Sequence, residues 1–381
     1  MNAWLLVSGD FTPFGGMDTA NYSLARYLAT TKSEVHLVTH RAWPDLAALP
    51  TITVHRVRRP FNWHFLGGAL LSRAGRRLWQ RLRPRGVSTL VNGGNCQVGA
   101  ASWVHYLHAA YTPHMAGSLV RRSKASLLHG RDLAAERVAL REAPVVICNS
   151  RRTRDDVIAR LGVDPHRVHV VYYGSDPVRF SAVSLEERAA AKQALGFSPN
   201  RPLVGFVGAL GDRRKAFDVV FTAWVELCRR PTWDADLLVA GAGAELPAWR
   251  QRAAAADLES RLHFAGYRHD MPGVFAALDA LVHPARYEAY GLSVHEALCR
   301  GVPAIVSAAA GVAEQYPAEL ADLLIHNPDD AAELAERLTT WRSNAERFES
   351  LLGPLSHRLR ARTWDAMAAD IAALVEGAQA A

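Results

Sequence analysis

The sequence predicts an α/β protein with two domains, and three features support this fold class. Short apolar runs recur along the chain, as at 4–8 (WLLVS) and 203–210 (LVGFVGAL), and each precedes a loop and a stretch with helical spacing. Such alternation is typical of α/β folds. A chain of 381 residues is too long for one ordinary core. Its 49% hydrophobic and 21% charged residues are typical of a globular protein.

The stretch RYEAYGLSVHEALCRGVPAIV at 286–306 predicts a loop, a helix and a strand, after a strand at 280–282. Ser293 is the expected N-cap of the helix, and Glu296 three residues later would complete a capping box. A capping role and a site role for Glu296 stay equally open. Glu288 lies in the loop, where it has no helix to cap, and ligands of such units bind at the carboxyl ends of strands. Glu288 is therefore the stronger candidate for a site, with a solvated loop glutamate as the alternative.

The segment EAYGLSVHE resembles the Glu-x7-Glu signature of the retaining nucleotide-sugar glycosyltransferases of family 4. The resemblance implies the GT-B fold, in which two Rossmann-like domains face a cleft. It implies that the first Glu contacts the hydroxyls of the donor sugar, that the second holds the ribose, and that the backbone between them lies against the diphosphate. The corresponding positions here are Glu288, Tyr290, Gly291, Leu292 and Glu296.

Arg214 and Lys215 follow a predicted strand, where fixed cations would suit a diphosphate, although a solvated charge cluster is the alternative. The family usually has Arg, Lys and Gly at this place, so Ala216 is a departure, as is Ala289 where Gly is more frequent. The resemblance extends to glycine loops and to a segment that borders the base. These further donor-side predictions are Gly208, Gly243, Tyr267 and Arg268.

In the first half of the chain, Gly15 and Gly16 stand at a strand-to-helix turn, which favours close approach of a phosphate or is simply a turn. The segment WVHYLHAAYTP contains two histidines three residues apart. A metal site is disfavoured because no third ligand stands at a suitable spacing. The family has a histidine facing the cleft on the acceptor side, and His108 is assigned this role, with His105 as the second choice.

Three segments are predicted as structural units. Residues 1–173 form an acceptor-side Rossmann-like domain, and residues 174–361 form the nucleotide-sugar-binding one. The boundary is placed at YYGSDPVRF, which resembles the crossover between domains in the family, with Tyr173 where Asn is usual. Residues 362–381 have helical periodicity and are expected to pack back on the first domain.

Basic residues are concentrated in the first half, where residues 1–173 carry a net charge of +13 and the remainder carries −6. Between residues 66 and 85, apolar and basic positions alternate with helical spacing. Such a helix is usually a solvated face packed on a sheet, but it also suits an anionic membrane surface. The candidate contacts are Arg73, Arg76, Arg77 and Arg81.

The predicted activity is transfer of a sugar from a nucleotide diphosphate to an acceptor hydroxyl with retention of anomeric configuration. Glu288, His108, Arg214 and Lys215 are the expected catalytic residues, without a metal or a further cofactor. The acceptor would be a saccharide or a lipid-linked saccharide, and no nucleic acid is expected. A non-catalytic partner of a transferase, a nucleotide-sugar epimerase and a phosphorylase are the alternatives. A cytoplasmic location, with peripheral docking on the inner membrane face, fits the widely spaced cysteines and the absence of a signal-like N-terminus.

Overall fold

The computed structural model describes residues 3–31, 33–60, 64–112, 119–211 and 213–380. The chain divides into two compact units, residues 1–174 with 362–381 and residues 175–361. Each unit contains a parallel sheet with helices, so the α/β prediction is confirmed. Across the described ranges no helix is long and apolar enough to cross a membrane.

The main sheet of the first unit has, in its described part, seven parallel strands in the order β5-β3-β1-β6-β7-β8-β9, and β2 pairs with β4 separately. The strands are β1 Ala3–Val7, β2 Asp10–Phe11, β3 Glu34–Thr39, β4 Arg41–Ala42, β5 Ile52–Arg56, β6 Ser88–Asn92, β7 Ala101–Val104, β8 Val146–Cys148 and β9 Val168–Val170. The helices are α1 Gly16–Thr30, α2 Pro44–Ala47, α3 His64–Leu82, α4 Leu119–Glu142 and α5 Arg151–Leu161.

The second unit has one sheet of six described parallel strands in the order β12-β11-β10-β13-β14-β15. The strands are β10 Leu203–Val207, β11 Asp236–Ala240, β12 Leu262–Gly266, β13 Ala280–His283, β14 Ala304–Ser307 and β15 Leu324–Ile325. The helices are α6 Leu185–Ala194, α7 Phe217–Cys228, α8 Leu246–Ala255, α9 Met271–Ala277, α10 Leu292–Cys299, α11 Ala331–Ser343 and α12 Ala345–Ala361. Because β10 and β13 are adjacent and parallel, the loops that follow them begin at the same edge of the sheet.

The last helix, α13 Trp364–Ala380, belongs to the first unit and packs on α1 and β6. The Gln379 side chain is hydrogen-bonded to Ser88 Oγ and donates to the Val87 carbonyl. Tyr173, the departure from the family pattern, packs against Trp364. Its hydroxyl also accepts a hydrogen bond from Asn149, so this side chain is held from two sides.

The basic helix α3 lies with its apolar side against the sheet of the first unit. Leu71 is buried in a cluster with Leu5 and Val7, and Ala74 and Leu78 pack beside it. The alternate face is exposed and carries Arg73, Arg76, Arg77 and Arg81. The helical periodicity predicted for residues 66–85 is therefore confirmed as an amphipathic helix.

Candidate active site

Glu288 lies at the centre of a charged cluster at the carboxyl ends of β10 and β13. Its Oε2 accepts hydrogen bonds from Lys215 Nζ at 2.5 Å and His283 Nε2 at 3.1 Å, while Arg214 Nη1 lies 3.7 Å away. Only 13% of the Glu288 side chain is exposed. The structure thus joins three predicted site residues and adds His283, which was not predicted from the sequence.

The electrostatics of this cluster favour an ionised Glu288. Burial opposes its charge, but Lys215, the His283 hydrogen bond and Arg214 outweigh burial and lower the pKa of Glu288. The pKa of His283 is lowered as well, mainly by burial and next by the charge of Lys215. A neutral His283 can keep its proton on Nε2 and donate it to the carboxylate. The cluster therefore holds two cations and one anion, with a net positive charge suited to an anionic ligand.

Arg286 holds the loop that carries Arg214, and the sequence analysis did not identify it. The Arg286 amide donates to the Arg214 carbonyl at 2.8 Å, and its guanidinium makes two bonds of 2.8 Å to the Asp218 carboxylate. Nη1 also donates to the Arg213 carbonyl at 2.5 Å. The two site loops are consequently linked to each other by main-chain and side-chain hydrogen bonds. An arginine two positions before Glu288 was the available signal.

Helix α10 begins at Leu292, so the prediction that Ser293 is its N-cap is wrong. Gly291 is the N-cap, with φ of 109°, and no side-chain cap hydrogen bond is formed. A Cβ atom at Gly291 would lie 3.1 Å from Val312 Cγ1. A tight turn with positive φ, rather than a serine cap, therefore starts this helix. Leu292 occupies its first position and is half-buried.

Glu296 does not form the expected capping box. It is half-buried on α10, and within the described part of the chain no hydrogen bond or ion pair reaches its carboxylate. Burial raises the pKa of Glu296 to about 8, against the opposing charge of Arg179. A neutral carboxyl group with unused hydrogen-bonding capacity suits a polar ligand better than a structural cap.

The Tyr290 side chain points into the core, and its hydroxyl lies 2.7 Å from His295 Nδ1. Its carbonyl accepts from the Val312 amide at 2.7 Å, and the Glu288 carbonyl accepts from the Gly311 amide at 3.1 Å. These bonds fix the loop between the two glutamates. At the Tyr290 position, only the backbone is suitably placed for a ligand at this loop.

Two glycine loops pack backbone against backbone at the ends of β10 and β11. A Cβ at Gly243 would lie 1.5 Å from the Leu210 carbonyl oxygen, and one at Gly241 would lie 1.8 Å from the Gly208 oxygen. Gly241 and Gly243 therefore leave no room for a side chain, and Gly208 contributes its carbonyl oxygen to this close contact. After β12, by contrast, Tyr267 is 61% exposed and Arg268 is also exposed.

In the first unit, Gly15 and Gly16 stand where α1 begins, after β1. Gly15 is the N-cap with φ of 85°, and Gly16 is the first helical residue. Asp18 follows in the first turn, where burial, reinforced by Asp10, raises its pKa to about 7. The strand-to-helix turn predicted at these glycines is confirmed.

His108 follows β7 and is paired with Glu136 of α4. His108 Nδ1 lies 3.0 Å from Glu136 Oε1, and 39% of the histidine side chain is exposed while only 2% of the glutamate is. Burial lowers the pKa of His108, but Glu136 outweighs burial and the net shift is upward. His105 is different, because it is buried, lies 2.5 Å from the Tyr173 hydroxyl and has its pKa lowered to about 3 by burial. Of the two histidines, His108 is the accessible one.

The comparisons with known proteins agree on one protein family. Residues 14–179 match the family model "Glycosyltransferase Family 4", and residues 201–344 match "Glycosyl transferases group 1". D-inositol 3-phosphate glycosyltransferase of Salinispora tropica is 27% identical over 94% of this chain and 80% of its own length. 2-Deoxystreptamine N-acetyl-D-glucosaminyltransferase of Streptomyces fradiae is 34% identical over 54% of this chain, which spans only 49% of that protein.

Solved structures share the architecture of the whole chain. WaaG, a glycosyltransferase involved in lipopolysaccharide biosynthesis, matches with a TM-score of 0.78, 19% identity, and coverage of 98% of this chain and 99% of its own. HepE of Anabaena, in complex with UDP and glucose, matches with a TM-score of 0.72, 20% identity and 98% coverage of both chains. At these identities the likeness establishes the fold, and the GT-B prediction is confirmed. Together, the two family models and the fold show that this chain belongs to the family 4 (group 1) glycosyltransferases.

Proposed function

We propose that the chain transfers a sugar from a nucleotide-diphosphate donor to an acceptor hydroxyl, with retention of anomeric configuration, in glycan, polysaccharide or glycolipid assembly. The observation that carries the proposal is the half-buried cluster of Glu288, Lys215 and Arg214. Relatives support the donor class, because HepE was solved with UDP and glucose. The name of the Salinispora relative supports a polar sugar-like acceptor.

In the proposed reaction, negative charge develops on the diphosphate as it leaves the sugar. Arg214 and Lys215 would stabilise this charge electrostatically, together with the amides at the start of α10. Glu288 would orient the sugar hydroxyls and Glu296 would hold the ribose. The exposed Tyr267 and Arg268 would lie beside the base. Neither glutamate is assigned as a nucleophile, and we favour front-face transfer, in which the departing phosphate accepts the proton of the acceptor.

Replacing both Arg214 and Lys215 with alanine tests this function. Hydrolysis of UDP-glucose and GDP-mannose by the full chain without acceptor would be measured, after a thermal-shift screen of donors. We expect the double variant to lose turnover, and we expect EDTA to have little effect because the fixed cations act on the diphosphate. A double variant as active as the parent chain, or strict dependence on added Mg²⁺ or Mn²⁺, would contradict the proposal.

The alternative that the chain is a non-catalytic partner is suggested by Ala216 and Ala289, which stand where the family more often has glycine. Ala216 is the N-cap of α7 and has φ of 55°, the left-handed conformation that glycine adopts most easily. The loop after Arg214 and Lys215 therefore keeps this backbone conformation despite its extra methyl group. This observation favours a working donor site over a degenerate one, and measurable hydrolysis of either donor would decide between them.

We also propose that the chain works at the cytoplasmic face of a membrane, docking reversibly through the exposed face of α3. Among the described residues, no acidic side chain lies within ion-pair distance of Arg73, Arg76, Arg77 or Arg81. Four free cations on one helix would attract anionic lipid, at about 1 kcal/mol each near the surface. Docking would bring a lipid-linked acceptor to the enzyme.

Co-sedimentation with vesicles tests the docking. The full chain should bind phosphatidylserine-containing vesicles at low salt and dissociate from them at high salt. It should not bind neutral vesicles. Changing the four α3 arginines to glutamine should abolish binding. A control variant with the same loss of charge should still bind the anionic vesicles. It changes to glutamine four exposed arginines of the second unit, Arg229, Arg250, Arg252 and Arg347. Equal binding by both variants would overturn the docking surface and favour a soluble acceptor.

A further inference from the structure

Glu136 is almost fully buried and directs both of its oxygens at the segment that carries His108. Oε1 accepts from the His108 amide at 2.9 Å and lies 3.0 Å from His108 Nδ1, while Oε2 accepts from the Ala109 amide at 3.1 Å. Only 2% of the side chain is exposed. A buried carboxylate is costly unless it is hydrogen-bonded, and here the His108 ring, the His108 amide and the Ala109 amide supply three bonds.

This arrangement fixes the proton and the orientation of the imidazole. A carboxylate only accepts, so Nδ1 must carry the hydrogen that faces Glu136. Nε2 of a neutral His108 is then an acceptor, and no described residue hydrogen-bonds to it. The His108 side chain is 39% exposed, and its Nδ1 edge faces the buried Glu136, so the ring is open to a ligand on another side.

Helix α4 can bring Glu136 to this position because a glycine lies opposite. A Cβ atom at Gly94 would lie 3.0 Å from the Glu136 amide nitrogen and 3.2 Å from its Cα. Gly94 belongs to the turn after β6, and α4 packs directly on that turn. The glycine pair that the sequence shows at 93–94 therefore has a packing role in placing a charged side chain.

The other groups that face His108 are few in the described part of the first unit. Asp132 of α4 contributes a further negative charge, and the rings of His129 and Tyr106 lie 6.4 Å and 5.0 Å from the imidazole between centroids. None of these three bonds to Nδ1. The control of the imidazole thus falls to Glu136.

We infer that Glu136 is a positioning residue, which holds His108 in the tautomer that presents a bare Nε2 to the acceptor hydroxyl. The inference rests on the proposed function for the role of that nitrogen, but the tautomer itself does not depend on it. In transfer, Nε2 would accept a hydrogen bond from the acceptor hydroxyl and orient its oxygen. Without Glu136 the imidazole would rotate and exchange tautomers.

Nitrogen-15 NMR of the histidine rings in the full chain tests the positioning without any substrate. His108 would be assigned by comparison with His108→Gln. In the parent chain we expect the neutral ring to be protonated at Nδ1 and to titrate above an ordinary histidine. In Glu136→Gln we expect a mixture of tautomers and a lowered titration midpoint. Glu142→Gln, an exposed glutamate on the same helix, is the matched control and should change neither. An unchanged tautomer and midpoint in Glu136→Gln would overturn the inference.

Activity provides the second readout, using UDP-glucose or GDP-mannose with the saccharide acceptor found by screening. Glu136→Gln should lower kcat by about 10- to 100-fold, the range seen when outer partners of metal-ligating histidines are removed, with KM for the donor unchanged. Glu136→Asp should recover part of the loss if its fold is kept, as judged by circular dichroism. If Glu136→Gln shows the expected NMR change but neither the parent chain nor any variant transfers sugar, the proposed function is contradicted and the positioning role stands. Full activity of Glu136→Gln would show that Glu136 has no role in the reaction.

Discussion

The two candidate site regions are built in opposite ways. In the second unit, Lys215, Arg214 and His283 surround the Glu288 carboxylate in a half-buried cluster that keeps a net positive charge. In the first unit, a single buried carboxylate holds an exposed histidine. A cluster of mutually paired charges has little freedom to adapt and suits one fixed ligand group such as a diphosphate. An exposed side chain held from behind can serve acceptors of different shape. Under the proposed function, this difference would suit a constant donor diphosphate and a variable acceptor.

The largest effect is expected from Glu288→Gln, which breaks the paired cluster. The amide keeps the shape but leaves Lys215 and Arg214 without their anion, so turnover of the preferred donor should fall by about 100-fold or more. Steady-state hydrolysis or transfer would measure this, with Glu319→Gln as an exposed control in the same unit. Near-parental turnover of Glu288→Gln would remove this carboxylate from the site and weaken the contrast between the units.

The second prediction concerns Glu296, whose pKa is raised to about 8 by burial. The pKa of this carboxyl group is about 4.3 in the unfolded chain. Its contribution to the stability of the folded chain is therefore fully present below pH ~4.3 and is lost as the pH rises through about 8. We expect the Tm of the parent chain to fall across this range relative to Glu296→Gln, which stays neutral. Parallel Tm curves for the two proteins from pH ~4 to pH ~9 would contradict a buried, unpaired carboxyl group.

A third prediction perturbs the support behind His108. Gly94→Ala would place its Cβ 3.0 Å from the Glu136 amide nitrogen, so α4 or the turn must shift. We expect the free energy of unfolding to fall by about 1–3 kcal/mol, as for other overpacked sites. Denaturant unfolding would measure this, and the His108 ring tautomer should become mixed. Unchanged stability would mean that α4 tolerates displacement at this point.

The smallest expected effect comes from Gly130→Ala on the same helix, which serves as the counterpart of Gly94→Ala. Gly130 lies inside α4, and nothing lies within 4 Å of a Cβ built there. Alanine should therefore raise the free energy of unfolding by about 0.5–1 kcal/mol through its better helix propensity. Denaturant unfolding and the His108 titration would be compared, and the titration should not move. A destabilised Gly130→Ala would show that α4 is restrained along its whole length.

Local sequence signals determined the alternation of strands and helices, the amphipathic helix α3 and the turn at Gly15, and they identified Glu288 as a site candidate. These features depend on periodicity and on residues close together in the chain, which one sequence displays directly. The family resemblance added the GT-B fold, because motifs such as EAYGLSVHE stand at matching places along the chain.

Only the tertiary structure decided which groups meet. Lys215 reaches Glu288 across 73 positions because β10 and β13 are neighbours in the sheet, and Glu136 reaches His108 because Gly94 admits α4. The start of α10 was also decided there: the serine expected as its cap gave way to the positive φ of Gly291 beside Val312. The pairing of distant charges and the clearance around a backbone depend on packing in three dimensions, which local patterns along one chain do not encode.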